Sequence, residues 1–160
     1  MVTAWSWQPQ GGRRVAAPAR LPHGPPLSSL ADLFEAARQA RERAYAPYSG
    51  FRVGAAVRGA SGRIYAGCNV ENAAYPEGTC AEAAALAAMV LGGETHVIEA
   101  CVVGAGPALA TPCGGCRQRL REFGAVDAPI HIGSPDGLRG SFTLGELLPA
   151  SFGRANLGDG

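Results

Sequence analysis

Three of the five cysteines stand where they could share one metal ion. Cys80 opens Cys80-Ala81-Glu82, while Cys113 and Cys116 belong to Pro112-Cys113-Gly114-Gly115-Cys116. Both segments read as places where a loop becomes a helix, and the free N–H groups and macrodipole of a helix start stabilise thiolates. Three thiolates meeting at one point make a tetrahedral zinc site with an open fourth position, which is a catalytic rather than a closed structural arrangement. Glu82 is then not needed as a ligand. Two positions beyond Cys80, its carboxylate can reach zinc-activated water and shuttle a proton. Taken alone, Cys113-x-x-Cys116 fits a redox pair equally well, Glu82 could be a helix-capping acid, and Cys80 a buried apolar residue. The three together point to zinc.

The remaining composition removes competing chemistries. All 14 basic residues are Arg, so no lysine is available for a Schiff base or as a nucleophile. Against 13 acids they leave a formal net charge of +1, no footprint for nucleic acid or another polyanion. No run approaches the roughly 20 apolar residues of a membrane-spanning helix. The odd cysteine count and the absence of an apolar leader argue against a disulfide framework and for a reducing, cytoplasmic compartment. Cys68 and Cys101 fall on strand-like runs as inert core thiols. His131 alternates with Ile130 and Ile132, which gives it a surface or second-face role rather than ligation. His23 and His96 fall in a tail and a loop.

The elements that must position these residues follow from periodicity. A chain of 160 residues and 16.4 kDa, 47% hydrophobic and 17% charged, makes one compact domain. Residues 1–27 hold five of the 12 prolines, both tryptophans, three arginines and no acid, and read as a disordered N-terminal extension. An acid-poor, Arg-containing start also suits a transit peptide, but the stretch has little serine and no helical period. The domain spans 28–153, with 154–160 a C-terminal tail. Ser29-Leu30-Ala31-Asp32 resembles a capping box, and Leu30, Leu33, Phe34, Ala37 and Ala44 follow at helical spacing up to Pro47. Val53, Ala55 and Val57 alternate with Arg52, Gly54, Ala56 and Arg58 as a strand. A Gly59–Gly62 turn joins it to a second strand near Ile64–Cys68. Helices are expected from Cys80 to Gly92-Gly93, over Cys113–Phe123, and as a short one capped by Thr143 and Glu146 through Leu148. Strands are expected at Ile98–Val103 and Ile130–Ile132, with a further one left open after the Pro135-Asp136-Gly137 turn. The α-β-β-α-β-α-β-(β)-α order implies an α/β fold with parallel strands. Right-handed crossovers would bring the two Cys-bearing helix starts to one sheet edge.

With those residues in view, the sequence resembles the small homotetrameric cytidine deaminases from about Leu30 to Gly153. The resemblance rests on Tyr45-Ala-Pro-Tyr-Ser-Gly-Phe-Arg-Val-Gly-Ala-Ala56, Cys68-Asn-Val-Glu-Asn-Ala-Ala-Tyr-Pro76, Thr79-Cys-Ala-Glu82, Thr111-Pro-Cys-Gly-Gly-Cys-Arg-Gln118 and Glu146-Leu-Leu-Pro149. As a set these are specific, and the cysteines and Glu82 match the three-cysteine form of the zinc-deaminase signature. Cys-Ala-Glu alone also occurs in blasticidin S deaminases. The resemblance implies a three-layer α-β-α fold with a mixed five-stranded sheet. It implies Zn2+ on Cys80, Cys113 and Cys116, with Glu82 as general acid and base. It further implies Asn69 and Glu71 on the ribose, with Tyr75 beside them, Phe51 against the pyrimidine and the Ala81 N–H on the base. Phe152 would enter a neighbouring subunit's site in a homotetramer. The implied reaction is hydrolytic deamination of a small nucleoside. One departure stands out: many three-cysteine members carry Arg directly after the catalytic Glu, where this chain has Ala83. The two helix N-termini and Arg117 are left to offset the net negative charge of a three-thiolate zinc centre.

Overall fold

The computed structural model describes residues 29–158, so the expectation for residues 1–27 lies outside the described residues. Helix α1 (Leu30–Glu42) starts where the sequence predicts. Asp32 donates its backbone N–H to the Ser29 hydroxyl at 3.2 Å, and the Asp32 carboxylate accepts the Ser29 N–H at 2.6 Å. This capping box satisfies donors that the first turn leaves free. Strand β1 (Val53–Gly59) and strand β2 (Ile64–Cys68) form the expected antiparallel hairpin. Then follow α2 (Ala81–Leu91), β3 (Val97–Gly104), α3 (Gly114–Phe123), β4 (Pro129–Ser134), β5 (Gly137–Thr143) and the short α4 (Leu144–Leu147). The strand that the sequence left open after the Pro135 turn is a full member of the sheet.

Sheet order is β2-β1-β3-β4-β5, with β3 and β4 parallel and every other neighbouring pair antiparallel. The sheet is thus mixed. Because β1 opposes both β2 and β3, those two strands run the same way although they do not touch. The helices that follow them, α2 and α3, therefore begin at the same sheet edge. They cover one face over Ala55, Val57, Val102, Ile130 and Ile132. Helix α1 covers the other with Leu33 and Ala37 on Ala56, Cys101 and Val103. Three layers result. Strand β1 is buried on both faces rather than alternating, because a helix lies over each side of it. Close approach requires small residues here. A Cβ on Gly54 would run into the Ala37 carbonyl of α1, and one on Gly67 into the Ala85 backbone of α2.

The α1 face of the sheet also holds a row of polar groups. Arg58 lies opposite Glu99 on β1 and β3, and His131 lies opposite Ser141 on β4 and β5. Glu99 reaches His131 diagonally, since the residue opposite His131 on β3 is Cys101. Arg58 Nε lies 2.5 Å from Glu99 Oε1, and His131 Nε2 lies 3.1 Å from Glu99 Oε2. His131 Nδ1 and Ser141 Oγ share a 2.7 Å hydrogen bond. His131 therefore occupies the second face, buried beside Cys101 and on the opposite side of the sheet from α2 and α3, which carry the clustered cysteines. Of the two thiols assigned to the core, Cys101 is fully buried, and burial pushes its pKa up to about 12. Cys68, at the end of β2, is only half-buried. Among the described residues no helix is long and apolar enough to cross a membrane.

Candidate active site and metal centre

Cys80 is the N-cap of α2, Cys113 is the N-cap of α3, and Cys116 lies buried in the first turn of α3. The shared sheet edge brings the three together. The Cys80 and Cys113 Sγ atoms are 3.9 Å apart, and all three sulfurs lie within 4.8 Å of one another. Tetrahedral zinc with Zn–S bonds of about 2.3 Å holds its sulfurs about 3.8 Å apart, so donor set and spacing both fit zinc. Among the described residues no fourth His, Cys, Asp or Glu joins the cluster, and one coordination position is left for water or substrate.

Glu82 is 5% exposed, and its Oε2 accepts a hydrogen bond from Cys116 Sγ at 3.2 Å. The carboxylate therefore sits beside the metal ligands without being one of them. The thiols differ in their electrostatics. Burial, followed by the negative charge of Glu82, pushes the Cys116 thiol well up. Burial also raises Cys80. At Cys113 burial acts upward as well, but hydrogen bonding from Cys116 and Cys80 outweighs it and the thiol falls below its ordinary value. Desolvation thus dominates at Cys80 and Cys116, and hydrogen bonding between the thiols at Cys113. A divalent cation held by these three residues would supply the charge that ionises them.

Two adjoining cavities meet at the cluster, sharing Asn69 and Cys80. The inner one, of about 260 Å³, is lined by Phe51, Ala81, Glu82 and Cys113 among others. The outer one, of about 490 Å³, is lined by Tyr48, Ser49, Glu71 and Tyr75 among others. Nine of the ten sequence-predicted site residues are thereby brought together, with Cys116 just behind the inner cavity. Phe152 is the exception: it is 57% exposed and lines neither cavity. Its carbonyl accepts from Gln118 Nε2 at 2.9 Å, which ties the C-terminal segment to α3.

Asn69 and Glu71 also organise the loops around them. Asn69 Oδ1 accepts the Val53 N–H at 2.8 Å, and its Nδ2 donates to the Phe51 carbonyl at 2.9 Å. Glu71 Oε2 accepts the N–H groups of Tyr48 at 2.8 Å and Ser49 at 3.2 Å, and Oε1 accepts the Ser49 hydroxyl. These bonds hold the Glu71 carboxyl below the usual carboxylate range, the Ser49 hydroxyl contributing most. Sequence reasoning missed Tyr48, Ser49 and Thr111 as lining residues, although the first two stand within the quoted Tyr45–Ala56 stretch. The Tyr48 and Tyr75 rings are 6.3 Å apart, and this pair forms an aromatic rim.

Arg117 directs its hydrogen bonds elsewhere than the sulfurs. Its Nε donates to the Pro112 carbonyl at 2.7 Å, its first terminal nitrogen to the Leu147 carbonyl at 2.7 Å and its second to Thr111 Oγ1 at 3.1 Å. The guanidinium is drawn to oxygen acceptors in the loop before Cys113 rather than to the cysteine sulfurs.

A helix-borne cluster of three cysteines with an adjacent buried carboxylate, on a mixed α-β-α sandwich, defines a zinc hydrolase centre of the deaminase kind. Residues 27–132 match the family described as the cytidine and deoxycytidylate deaminase zinc-binding region. The cytidine deaminase of Halalkalibacterium halodurans is 39% identical over 127 residues, covering 79% of this chain and 96% of the relative. That of Mycobacterium tuberculosis is 45% identical over 122 residues, covering 76% and 87%. The crystal structure of cytidine deaminase from Burkholderia pseudomallei superposes with a TM-score of 0.73 at 39% identity, covering 78% of this chain and all of that one (100%). The chain belongs to the cytidine deaminase family.

Proposed function

We propose that this chain hydrolyses cytidine and deoxycytidine to uridine and deoxyuridine with release of ammonia, a reaction of pyrimidine salvage. The observation that carries the reading is the inner cavity, where an aromatic face, a buried carboxylate and two of three convergent thiols line one small space. Cys80, Cys113 and Cys116 hold Zn2+, which when bound makes water a nucleophile near neutral pH. Glu82 takes up the first proton that water gives up and delivers it to ring N3. Once the oxygen has added at C4, Glu82 takes up the remaining hydroxyl proton and passes it to the amino group, which departs as ammonia and leaves the C4 carbonyl. Phe51 packs the pyrimidine, and the Ala81 N–H, one of the free donors at the start of α2, contacts the base. Asn69 Nδ2 keeps a second hydrogen for a ribose hydroxyl, the Glu71 carboxylate keeps lone pairs for another, and Tyr75 closes the ribose side.

Among the described residues no cationic side chain lines either cavity, which supports an uncharged nucleoside over a 5′-nucleotide. A homotetramer in which Phe152 completes a neighbouring site belongs to the same reading, and the exposure of Phe152 supports it. A cytoplasmic location and the division of the chain at residues 27/28 and 153/154 are proposed with it. A spectrophotometric assay of cytidine turnover, with and without a zinc chelator, tests the proposal. Deoxycytidine, deoxycytidine 5′-phosphate and blasticidin S serve as parallel substrates. Chelator-sensitive formation of uridine and deoxyuridine is expected. Turnover of the antibiotic or the nucleotide in preference to the nucleosides would overturn the reading.

A further inference from the structure

The loop that carries Cys113 has no regular secondary structure, yet it must hold one sulfur to within tenths of an ångström of its place beside the other two. Arg117 sits one turn into α3 and reaches back to that loop. Its three donor nitrogens bond the carbonyl of Pro112, the hydroxyl of Thr111 and, across to a separate element, the carbonyl of Leu147 at the end of α4. The Pro112 and Thr111 acceptors immediately precede the ligand. Further along α3, Gln118 bonds the Phe152 carbonyl and Arg121 Nε bonds Ser151 Oγ at 3.1 Å. One face of this helix thus grips both the ligand loop and the C-terminal segment.

We infer that Arg117 is a positioning residue for the metal centre: it clamps the Thr111–Cys113 loop to the end of α4 and sets where the Cys113 sulfur lies. The inference rests on Cys80, Cys113 and Cys116 being the zinc ligands. A planar fork with fixed donor directions suits this role, since three acceptors on two elements are satisfied by one rigid group. A lysine ammonium cannot span them. Groups that orient a ligand typically change metal affinity by about 10–100-fold when lost. Arg121, which reaches the C-terminal segment but not the ligand loop, is the internal control.

The test is zinc release from the zinc-loaded full chain into a chromogenic chelator, for wild type, Arg117→Ala, Arg117→Lys and Arg121→Ala. Release from Arg117→Ala is expected to be about tenfold faster or more, with Arg117→Lys intermediate and Arg121→Ala within about twofold of wild type. In cytidine assays with zinc in excess, Arg117→Ala should lower kcat more than it raises KM, because the outer cavity is untouched. Release from Arg117→Ala within about twofold of wild type would overturn the inference. If Arg117→Ala is not recovered folded, Arg117→Lys decides by the same threshold. A wild-type chain that takes up no zinc would instead overturn the ligand assignment itself.

Discussion

Replacing Glu99 by Ala puts the buried polar row to a quantitative test. Arg58 is 3% exposed, and its strongest partner is the Glu99 carboxylate at 2.5 Å. The substitution removes that partner and the His131 contact at 3.1 Å, while one terminal nitrogen of Arg58 keeps the Ser29 carbonyl at 2.8 Å. Removing one partner of a buried ion pair costs about 3–5 kcal/mol. The retained carbonyl and the 21% exposure of the Glu99 side chain place this case at the lower end, about 3 kcal/mol. For a folded unit of this size that corresponds to a fall in Tm of roughly 10 °C. Glu99→Gln keeps shape and one acceptor and should cost about 1 kcal/mol. Arg58→Met with Glu99→Ala removes both charges and should recover part of the loss. Urea unfolding of the zinc-loaded protein at pH 7 measures the series, with cytidine KM as a check that the opposite face is undisturbed. A Glu99→Ala cost below about 1 kcal/mol, or a double variant less stable than the sum of its parts, would refute the reasoning.

Glu82→Gln should lower kcat by about 10²–10⁴ while zinc content per chain stays at the wild-type value; parallel loss of zinc and activity would make Glu82 a structural rather than proton-moving group. Asn69→Ala removes two bonds that pin the start of β1 and should reduce both kcat/KM for cytidine, by about 100-fold, and stability, by about 1–2 kcal/mol. Glu71→Gln should act mainly on KM, since the amide oxygen can still accept from the Tyr48–Ser49 loop. Glu94 provides a pH test. Burial would raise its carboxyl, but hydrogen bonds from Ser61 and Tyr65 outweigh this and hold it below the ordinary carboxylate value. A depressed folded value means stability that is present above the unfolded value of 4.5 and lost as pH falls through the folded one. Glu94→Gln should therefore be destabilised by about 1–2 kcal/mol at pH 7, with the gap closing below about pH 4 when followed by urea unfolding.

What could be read from the sequence divides by the range over which a residue's role is decided. Cys80 and Cys113 are legible because a residue at a loop-to-helix junction has its place set locally, and two crossovers in one direction bring such junctions to one edge. The intervening β1, which separates β2 from β3, leaves that logic intact because it is antiparallel to both. Arg58, Glu99 and His131 are not legible, because only strand register decides that they face one another, and no one strand carries that information. Arg52 and Arg58 look alike in an alternating sequence, yet Arg52 precedes β1 and is exposed, while Arg58 lies inside it, buried opposite Glu99. The same limit explains Arg117. From sequence it is a cation beside a three-thiolate cluster, and electrostatics alone would turn it toward sulfur. The α4 carbonyl that competes for it belongs to a segment 30 positions further on. Asn69 and Glu71 fall between the two cases. Their motif announces ligand contact, but the bonds to Phe51, Val53, Tyr48 and Ser49 show that two stretches distant in sequence interlock into one wall. Under the proposed function, substrate recognition and loop order draw on the same two side chains, so substituting either one should disturb both at once.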